Sequence, residues 1–82
     1  MRVITQDKHI DFPMDNFVFT LWINPVKIIC YDKLEGSDYI TVAKYSTKEK
    51  AQKVMKMLRN EYMKNGSKNV YFQFPADEDV IV

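Results

Sequence analysis

The sequence predicts an α+β fold in which an antiparallel sheet of about four to six strands packs one face against an amphipathic helix at about 47–64. Three observations predict it. Several short segments rich in β-branched and aromatic residues are separated by polar or proline-containing turns, which is typical of strands. Only one stretch, residues 46–66, has clear helical periodicity. The turns between strands are too short for parallel crossovers, which favours antiparallel pairing.

The predicted strands follow one another along the chain. In order, they cover Arg2–Gln6, Ile10–Phe12, Phe17–Ile23, Val26–Tyr31, Tyr39–Lys44 and Val70–Phe74. A proline ends the second, third and last of these, because proline cannot donate to a central ladder. Residues Asp32–Ser37 form a predicted turn centred on Gly36. The tail Ala76–Val82 either adds a last edge strand or frays.

The helix has a predicted start, buried stripe and stop. Ser46 and Glu49 match the S-x-x-E capping box. The apolar stripe consists of Ala51, Val54, Met55, Leu58 and Tyr62. Asn65 and Gly66 suit the left-handed conformation that ends many helices. The opposite face is basic and carries Lys48, Lys50, Lys53, Lys56, Arg59 and Lys64.

Size and composition indicate one small globular domain. The chain has 82 residues, of which 46% are hydrophobic and 28% charged, and its formal net charge is +1. The basic helix and the acidic run Asp77–Asp79 are oppositely charged, which suits self-association, a contact within the chain or a foreign partner. The N-terminus lacks a signal peptide and no apolar run reaches the roughly 18 residues that span a membrane. We therefore expect a soluble, intracellular protein that does not engage membranes.

The residue types for common active sites are scarce. His9 is the only histidine and Cys30 the only cysteine, which is too few for a zinc site and gives weak support to a nucleophilic pair. Cys30 stands in an apolar run and is expected to be a small buried residue. Two glycines are too few for a phosphate-binding loop. The sequence therefore predicts a protein that is not an enzyme and holds no cofactor or metal.

Several strands carry large apolar residues on both faces. In Phe17–Ile23, the odd-numbered residues are all apolar, and Val18 and Trp22 stand on the other side. A helix of 18 residues is about 27 Å long and covers only part of one sheet face. Either the N-terminal hairpin or the tail folds over the second face, or that face is an interface for a twin chain or a partner.

Candidate contact residues lie on the sheet and on the helix. They are Trp22, Tyr31, Tyr71, Lys53, Lys56 and Arg59. The lysines and arginine suit phosphates and the aromatics suit stacked bases, so a nucleic acid or nucleotide is a further candidate ligand. A lysine-rich helix face is also commonly just solvated.

Three segments resemble a group of small proteins encoded by phages and prophages of Firmicutes. They are Met1–Asp7 with Ile10–Pro13, Ala43–Ala51 continuing to Arg59, and Phe72–Asp77. Those proteins typically open with M-R-V-I-S-Q-D-G, carry A-K-Y-S-T-x-E-K-A before a helix and close with F-Q-F-P-A-D. Lys8 replaces their turn glycine, so the first hairpin is expected to differ in shape. The middle of the chain does not match.

The resemblance implies a phage-associated accessory protein in the cytoplasm of a bacterial host cell. The leading expectation is a protein that binds without catalysis, as a homodimer or against a host protein. The second is a nucleic-acid binder or a protein that sequesters a nucleotide. The third is a small structural component of a phage particle.

Overall fold

A computed structural model describes residues 1–34 and 38–82 of the chain, so the predicted turn centre Gly36 lies outside the described residues. The elements are β1 (Arg2–Ile4), β2 (Asp11–Pro13), β3 (Phe17–Ile23), β4 (Val26–Asp32), β5 (Tyr39–Lys44), α1 (Lys48–Asn65), β6 (Tyr71–Gln73) and a 3₁₀ turn at Asp77–Asp79. The α+β class is confirmed. The described strands form two sheets of three, an N-terminal sheet with the order β2-β1-β6 and a central sheet with the order β3-β4-β5.

Antiparallel pairing dominates both sheets. The ladders β1–β2, β3–β4 and β4–β5 are antiparallel, as the short turns predict. The ladder β1–β6 is parallel, and it pairs Val3 with Phe72. A parallel pair is possible here because the chain between β1 and β6 is long enough to form a crossover.

The turn between β1 and β2 is built around Asp7. Its Oδ1 accepts hydrogen bonds from the Thr5 hydroxyl at 2.6 Å and the His9 amide at 3.0 Å. These two hydrogen bonds lower the pKa of Asp7, and the bond from Thr5 has the larger effect. Lys8 has a φ of 66°, which glycine adopts most readily. A left-handed backbone at Lys8 therefore closes the turn between β1 and β2.

The core lies between the inner face of the central sheet, the N-terminal sheet and α1. Phe19 of β3 packs against Phe12 of β2 and Phe74 after β6, with ring centroids 6.3 Å and 6.2 Å apart. The helix buries Ala51, Val54 and Leu58 of its predicted stripe. Helix and N-terminal sheet thus cover the same face of the central sheet.

The helix begins one residue later than the capping-box prediction. Thr47 is the N-cap, and its hydroxyl accepts a hydrogen bond from the Lys50 amide at 3.2 Å. Ser46 instead donates its amide and hydroxyl to Oδ1 of Asp77, at 2.8 Å and 3.1 Å. The capping prediction for Ser46 was wrong because a tertiary acceptor, remote in sequence, binds this serine.

The helix end also differs from the prediction. Gly66 has a φ of −58° and a ψ of −32°, which is right-handed helical conformation. Its amide donates to the Tyr62 carbonyl at 2.8 Å, and its carbonyl accepts from the N-terminal ammonium of Met1 at 2.9 Å. A Cβ at this position would lie 2.9 Å from the Tyr62 ring. Lack of space, and not a left-handed backbone, explains glycine here.

The tail neither adds a strand nor hangs free along its whole length. It forms the 3₁₀ turn Asp77–Asp79, and Val80 is buried in the core. Lys50 donates to the Asp77 carbonyl at 2.9 Å and lies 3.5 Å from its carboxylate, while Lys53 donates to the Ile81 carbonyl. The acidic tail and the basic helix therefore meet within one chain, so part of the basic face is used internally.

Candidate binding face on the central sheet

The central sheet presents nine described side chains on the face opposite the core, here called the outer face. Ladder partners share a face, and alternate residues of a strand point to opposite faces. The pairing therefore places the nine in three rows: Val18, Tyr31 and Tyr39; Thr20, Ile29 and Thr41; Trp22, Lys27 and Lys44. Each row contains one residue from β3, one from β4 and one from β5.

A bulge in β5 produces this arrangement. Ile28 pairs with Ala43 and Ile29 with Thr41, so Val42 has no partner in β4. Val42 and Ala43 are both buried in the core. The extra residue lets two consecutive side chains enter the core while Thr41 and Lys44 remain on the outer face.

The core is assembled without the outer face. The buried core and the apolar residues packed against it include Phe17, Phe19, Leu21 and Ile40 of the central sheet and none of the nine outer residues. In residues 1–34 and 38–82, the N-terminal sheet, the helix and Val80 of the tail all pack on the inner side. The expectation that the hairpin or tail covers the second face is therefore wrong for the described chain.

Trp22 and Tyr39 meet above the central strand. They occupy opposite corners of the nine-residue array, yet their ring centroids are only 4.9 Å apart, with the planes inclined at 51°. Their strands are separated by β4, so the contact has to cross it. Ile29 stands at the centre of the array and is only 4% exposed, although it does not belong to the buried cluster on the inner side of the sheet. The two rings therefore cover Ile29, and the three side chains form a small apolar cluster on the outer face.

Lys27 adds a cation to this cluster. Its Nζ lies 4.6 Å from the centroid of Trp22 and 5.2 Å from that of Tyr39. Both distances fall within the range of cation–π attraction. Lys44 stands beside Lys27 in the same row, and none of the nine residues is acidic. The outer face is thus aromatic at its centre and positive along one end.

The structure divides the predicted contact residues among three surfaces. Trp22 and Tyr31 lie together on the outer face. Tyr71 lies in β6, on the face of the N-terminal sheet that points away from the core, and is 58% exposed. Lys53, Lys56 and Arg59 lie exposed on α1, where Lys53 also binds the tail.

Of the nine outer-face residues, only Trp22 and Tyr31 were named from the sequence as contact candidates. Four of the seven that were not named form the aromatic cluster or carry its positive charge. They are Lys27, Ile29, Tyr39 and Lys44. Strand alternation identifies Lys27 and Ile29 once the faces of β4 are known. The bulge breaks that alternation in β5, so the side of Lys44 relative to Tyr39 does not follow from counting residues.

Other sites carry little chemistry in the described chain. Burial raises the pKa of the Cys30 thiol to about 11, so the sulfur stays protonated, and His9 is exposed in the first turn. The described residues contain no cluster of three or more histidine, cysteine, aspartate or glutamate side chains suited to a metal ion. In the same part of the chain, no helix has the length and apolar character to cross a membrane.

Comparisons with protein-family models, curated proteins and solved structures found no match.

Proposed function

We propose that this protein is a non-enzymatic phage or prophage accessory protein that binds another protein through the outer face of its central sheet. The observation that carries the proposal is the contact between the Trp22 and Tyr39 rings over Ile29, with Lys27 above both rings. Tryptophan and tyrosine held in a rigid apolar cluster are typical of interface hot spots. No described element of the chain covers them.

The geometry favours a protein partner over stacked bases. A base-stacking platform needs open ring faces that lie along the strand path of a nucleic acid. Here the Trp22 and Tyr39 rings contact each other at 4.9 Å, and Lys27 lies over both. The cluster instead offers a preformed apolar patch, since ring positions are set before binding and little side-chain entropy is lost.

Charge indicates the character of the partner. Lys27 and Lys44 are the two charged residues among the nine, and both stand at one end of the outer face. An interface of complementary charge speeds association and sets orientation. We therefore expect a host protein in the bacterial cytoplasm whose contact surface combines an apolar centre with acidic residues at one side. The resemblance to phage-encoded proteins supports a host target.

A matched pair of tyrosines tests the proposal. Tyr39 and Tyr71 are similarly exposed, at 50% and 58%, but lie on different sheets. Immobilised wild type, Tyr39→Ala, Lys44→Glu and Tyr71→Ala proteins would be incubated with host lysate, and any captured protein would then be purified and titrated. We expect Tyr39→Ala to weaken binding roughly 30-fold, as for a hot-spot residue, and Tyr71→Ala to leave it unchanged. Equal capture by the wild type and Tyr39→Ala would contradict the proposal.

Nucleic-acid or nucleotide binding is the second candidate, supported by Lys27 and Lys44 beside Trp22. It predicts affinity for single-stranded nucleic acid that falls steeply with salt and is reduced by Lys44→Glu. A double variant, Lys56→Glu with Arg59→Glu, tests whether nucleic acid binds the helix instead, because both residues lie on α1 and not on the outer face. Salt-insensitive or absent binding in a fluorescence titration would exclude this candidate.

A further inference from the structure

The edges of the two sheets are protected to very different degrees. In the N-terminal sheet the edge strands β2 and β6 have three residues each, and β2 carries Asp11 and Pro13. Short strands, charges and prolines discourage pairing with another chain. In the central sheet, β3 is an edge strand of seven residues without charge or proline. Such a strand is a template for a further strand.

The opposite edge of the central sheet, formed by β5, is already covered at Val42 and Lys44. The Gln6 amide donates to the Val42 carbonyl at 2.8 Å. The Gln6 side chain accepts from the Lys44 amide at 2.9 Å and donates to the Lys44 carbonyl at 3.0 Å, which mimics a strand neighbour. In residues 1–34 and 38–82, β3 is therefore the longest edge strand, and β5 is the edge that Gln6 partly covers.

The pairing of β4 shows which backbone groups of β3 face outward. The Val26 carbonyl accepts from the Tyr45 amide, so even-numbered β4 residues direct their backbone groups toward β5. Odd-numbered β4 residues then bond to even-numbered β3 residues, and the Lys33 amide continues this pattern by donating to the Asn16 carbonyl at 2.8 Å. The N–H and C=O groups of Phe19, Leu21 and Ile23 consequently point to the open edge.

We infer that a second copy of this chain pairs antiparallel with β3, with the two Thr20 residues facing each other on the two-fold axis. In this register Phe19 of one copy exchanges backbone hydrogen bonds with Leu21 of the other. The two central sheets become one continuous sheet of six strands. An axis through Thr20 is the one that pairs all seven residues, because Thr20 is the midpoint of β3.

Side-chain chemistry favours a second copy over a foreign strand. Self-pairing sets Phe17 beside Ile23 and Phe19 beside Leu21 on the inner side, and Val18 beside Trp22 on the outer side. Apolar and aromatic cross-strand pairs stabilise sheets, and Thr–Thr pairs do as well. Ile23, which is 58% exposed in the single chain, gains a cover from Phe17 of the other copy. No charged side chain of β3 opposes this register.

The basic residues of α1 beside β3 indicate how dimerisation should respond to salt. A groove between β3 and α1 is lined by Leu21, Met55, Lys56 and Arg59. Because the axis is perpendicular to the sheet, the grooves of both copies lie on the same side and the basic residues of the two helices approach one another. Salt screens this repulsion, so dimerisation should strengthen as salt rises. Binding of a polyanion would respond in the opposite direction.

Charge substitutions at the axis test the inference. Thr20→Lys and Thr20→Asp each place like charges side by side, whereas a mixture of the two restores an attractive pair. By analytical ultracentrifugation we expect concentration-dependent dimers for the wild type, at least roughly tenfold weaker dimerisation for each variant alone, and recovery in the mixture. Thr41→Lys is the matched control, since Thr41 stands in the same row on β5. Circular dichroism verifies that each variant is folded.

A cysteine at the axis tests the register. In the inferred pairing the two Thr20 residues form a non-hydrogen-bonded pair with Cα atoms about 4.5 Å apart, which a disulfide can bridge. Oxidised Thr20→Cys should run as a covalent dimer and Thr41→Cys as a monomer, and the buried Cys30 should not interfere. A wild type that stays monomeric in the high micromolar range, or a dimer that Thr20→Lys leaves intact and Thr20→Cys does not cross-link, would overturn the inference. Tyr39→Ala should still dimerise, which separates this result from the fate of the proposed function.

Discussion

The rings of Trp22 and Tyr39 meet across β4, 4.9 Å from centroid to centroid, although their backbones stand on the two outer strands of the central sheet. The contact covers Ile29, which is buried without belonging to the cluster on the inner side of the sheet. A sheet face exposed to water thus carries a second, smaller apolar cluster. This cluster gives the outer face a fixed shape before any partner arrives.

Removing the Tyr39 ring from this cluster should change the environment of Trp22, which can be followed by fluorescence. Tyr39→Ala exposes Trp22 and Ile29 to water, so we expect the fluorescence of the only tryptophan to shift to longer wavelength and quench more readily with acrylamide. Loss of the aromatic pair should lower the free energy of unfolding by about 1 kcal/mol, measured in urea. Tyr71→Ala is the control and should leave the emission unchanged. Identical spectra for the wild type and Tyr39→Ala would contradict the ring contact.

Gly66 is expected to resist substitution although its backbone is helical. An added Cβ would meet the Tyr62 carbonyl oxygen at 2.5 Å and the Tyr62 ring at 2.9 Å, so the helix end has to shift. We expect Gly66→Ala to lower the free energy of unfolding by about 1–3 kcal/mol, as overpacking does. Without the clash, alanine would stabilise this conformation by restricting the unfolded chain. Urea denaturation decides the sign, with Ser67→Ala as the exposed control, and a stabilised Gly66→Ala would show that the space is available.

Asp77 should make stability depend on acid pH. The Ser46 amide that donates to its carboxylate is the largest cause of a lowered pKa, and the Ser46 hydroxyl and Lys50 add to it. A carboxyl whose pKa is lower in the folded state stabilises the fold above its ordinary pKa of 3.8, and this contribution is lost as the pH falls through the folded value. We expect Asp77→Ala to lower the urea midpoint at pH 7.

The matched control for the Asp77 contacts is Glu78→Ala, because Glu78 is exposed in the same 3₁₀ turn. The difference between wild type and Asp77→Ala should shrink as the pH falls below 3.8, whereas Glu78→Ala should track the wild type throughout. A difference that stays constant down to pH 2 would mean that the Asp77 charge does not stabilise the fold.

Much of the fold follows from local patterns. The α+β class, the helix and the sidedness of β3 were predicted because burial imposes periodic patterns that can be read from a single sequence. The helix start was misplaced by one residue because Ser46 binds Asp77, which lies 31 positions away. The helix stop was assigned to a left-handed glycine, whereas the ring of Tyr62 leaves no room for a side chain.

The candidate site depended more on long-range pairing. Trp22 and Tyr31 could be chosen from the sequence as outward-facing aromatics, and both lie on the outer face. Tyr71 could not be separated from them, because its place on a different sheet follows from the parallel pairing of β6 with β1. Tyr39 and Lys44 share the outer face because a bulge at Val42 reverses the alternation between them.

Alternating and helical hydrophobicity were sufficient to establish which elements form and which side of each is apolar, since those properties arise within a few consecutive residues. Which apolar side remains uncovered, and which edge remains open, depended on where the N-terminal hairpin and Gln6 pack. Those contacts join residues about 40 to 70 positions apart, as the bonds from Gln6 to Lys44 and Pro75 illustrate. Their energies depend on the assembled core, and no local pattern in the chain encodes them.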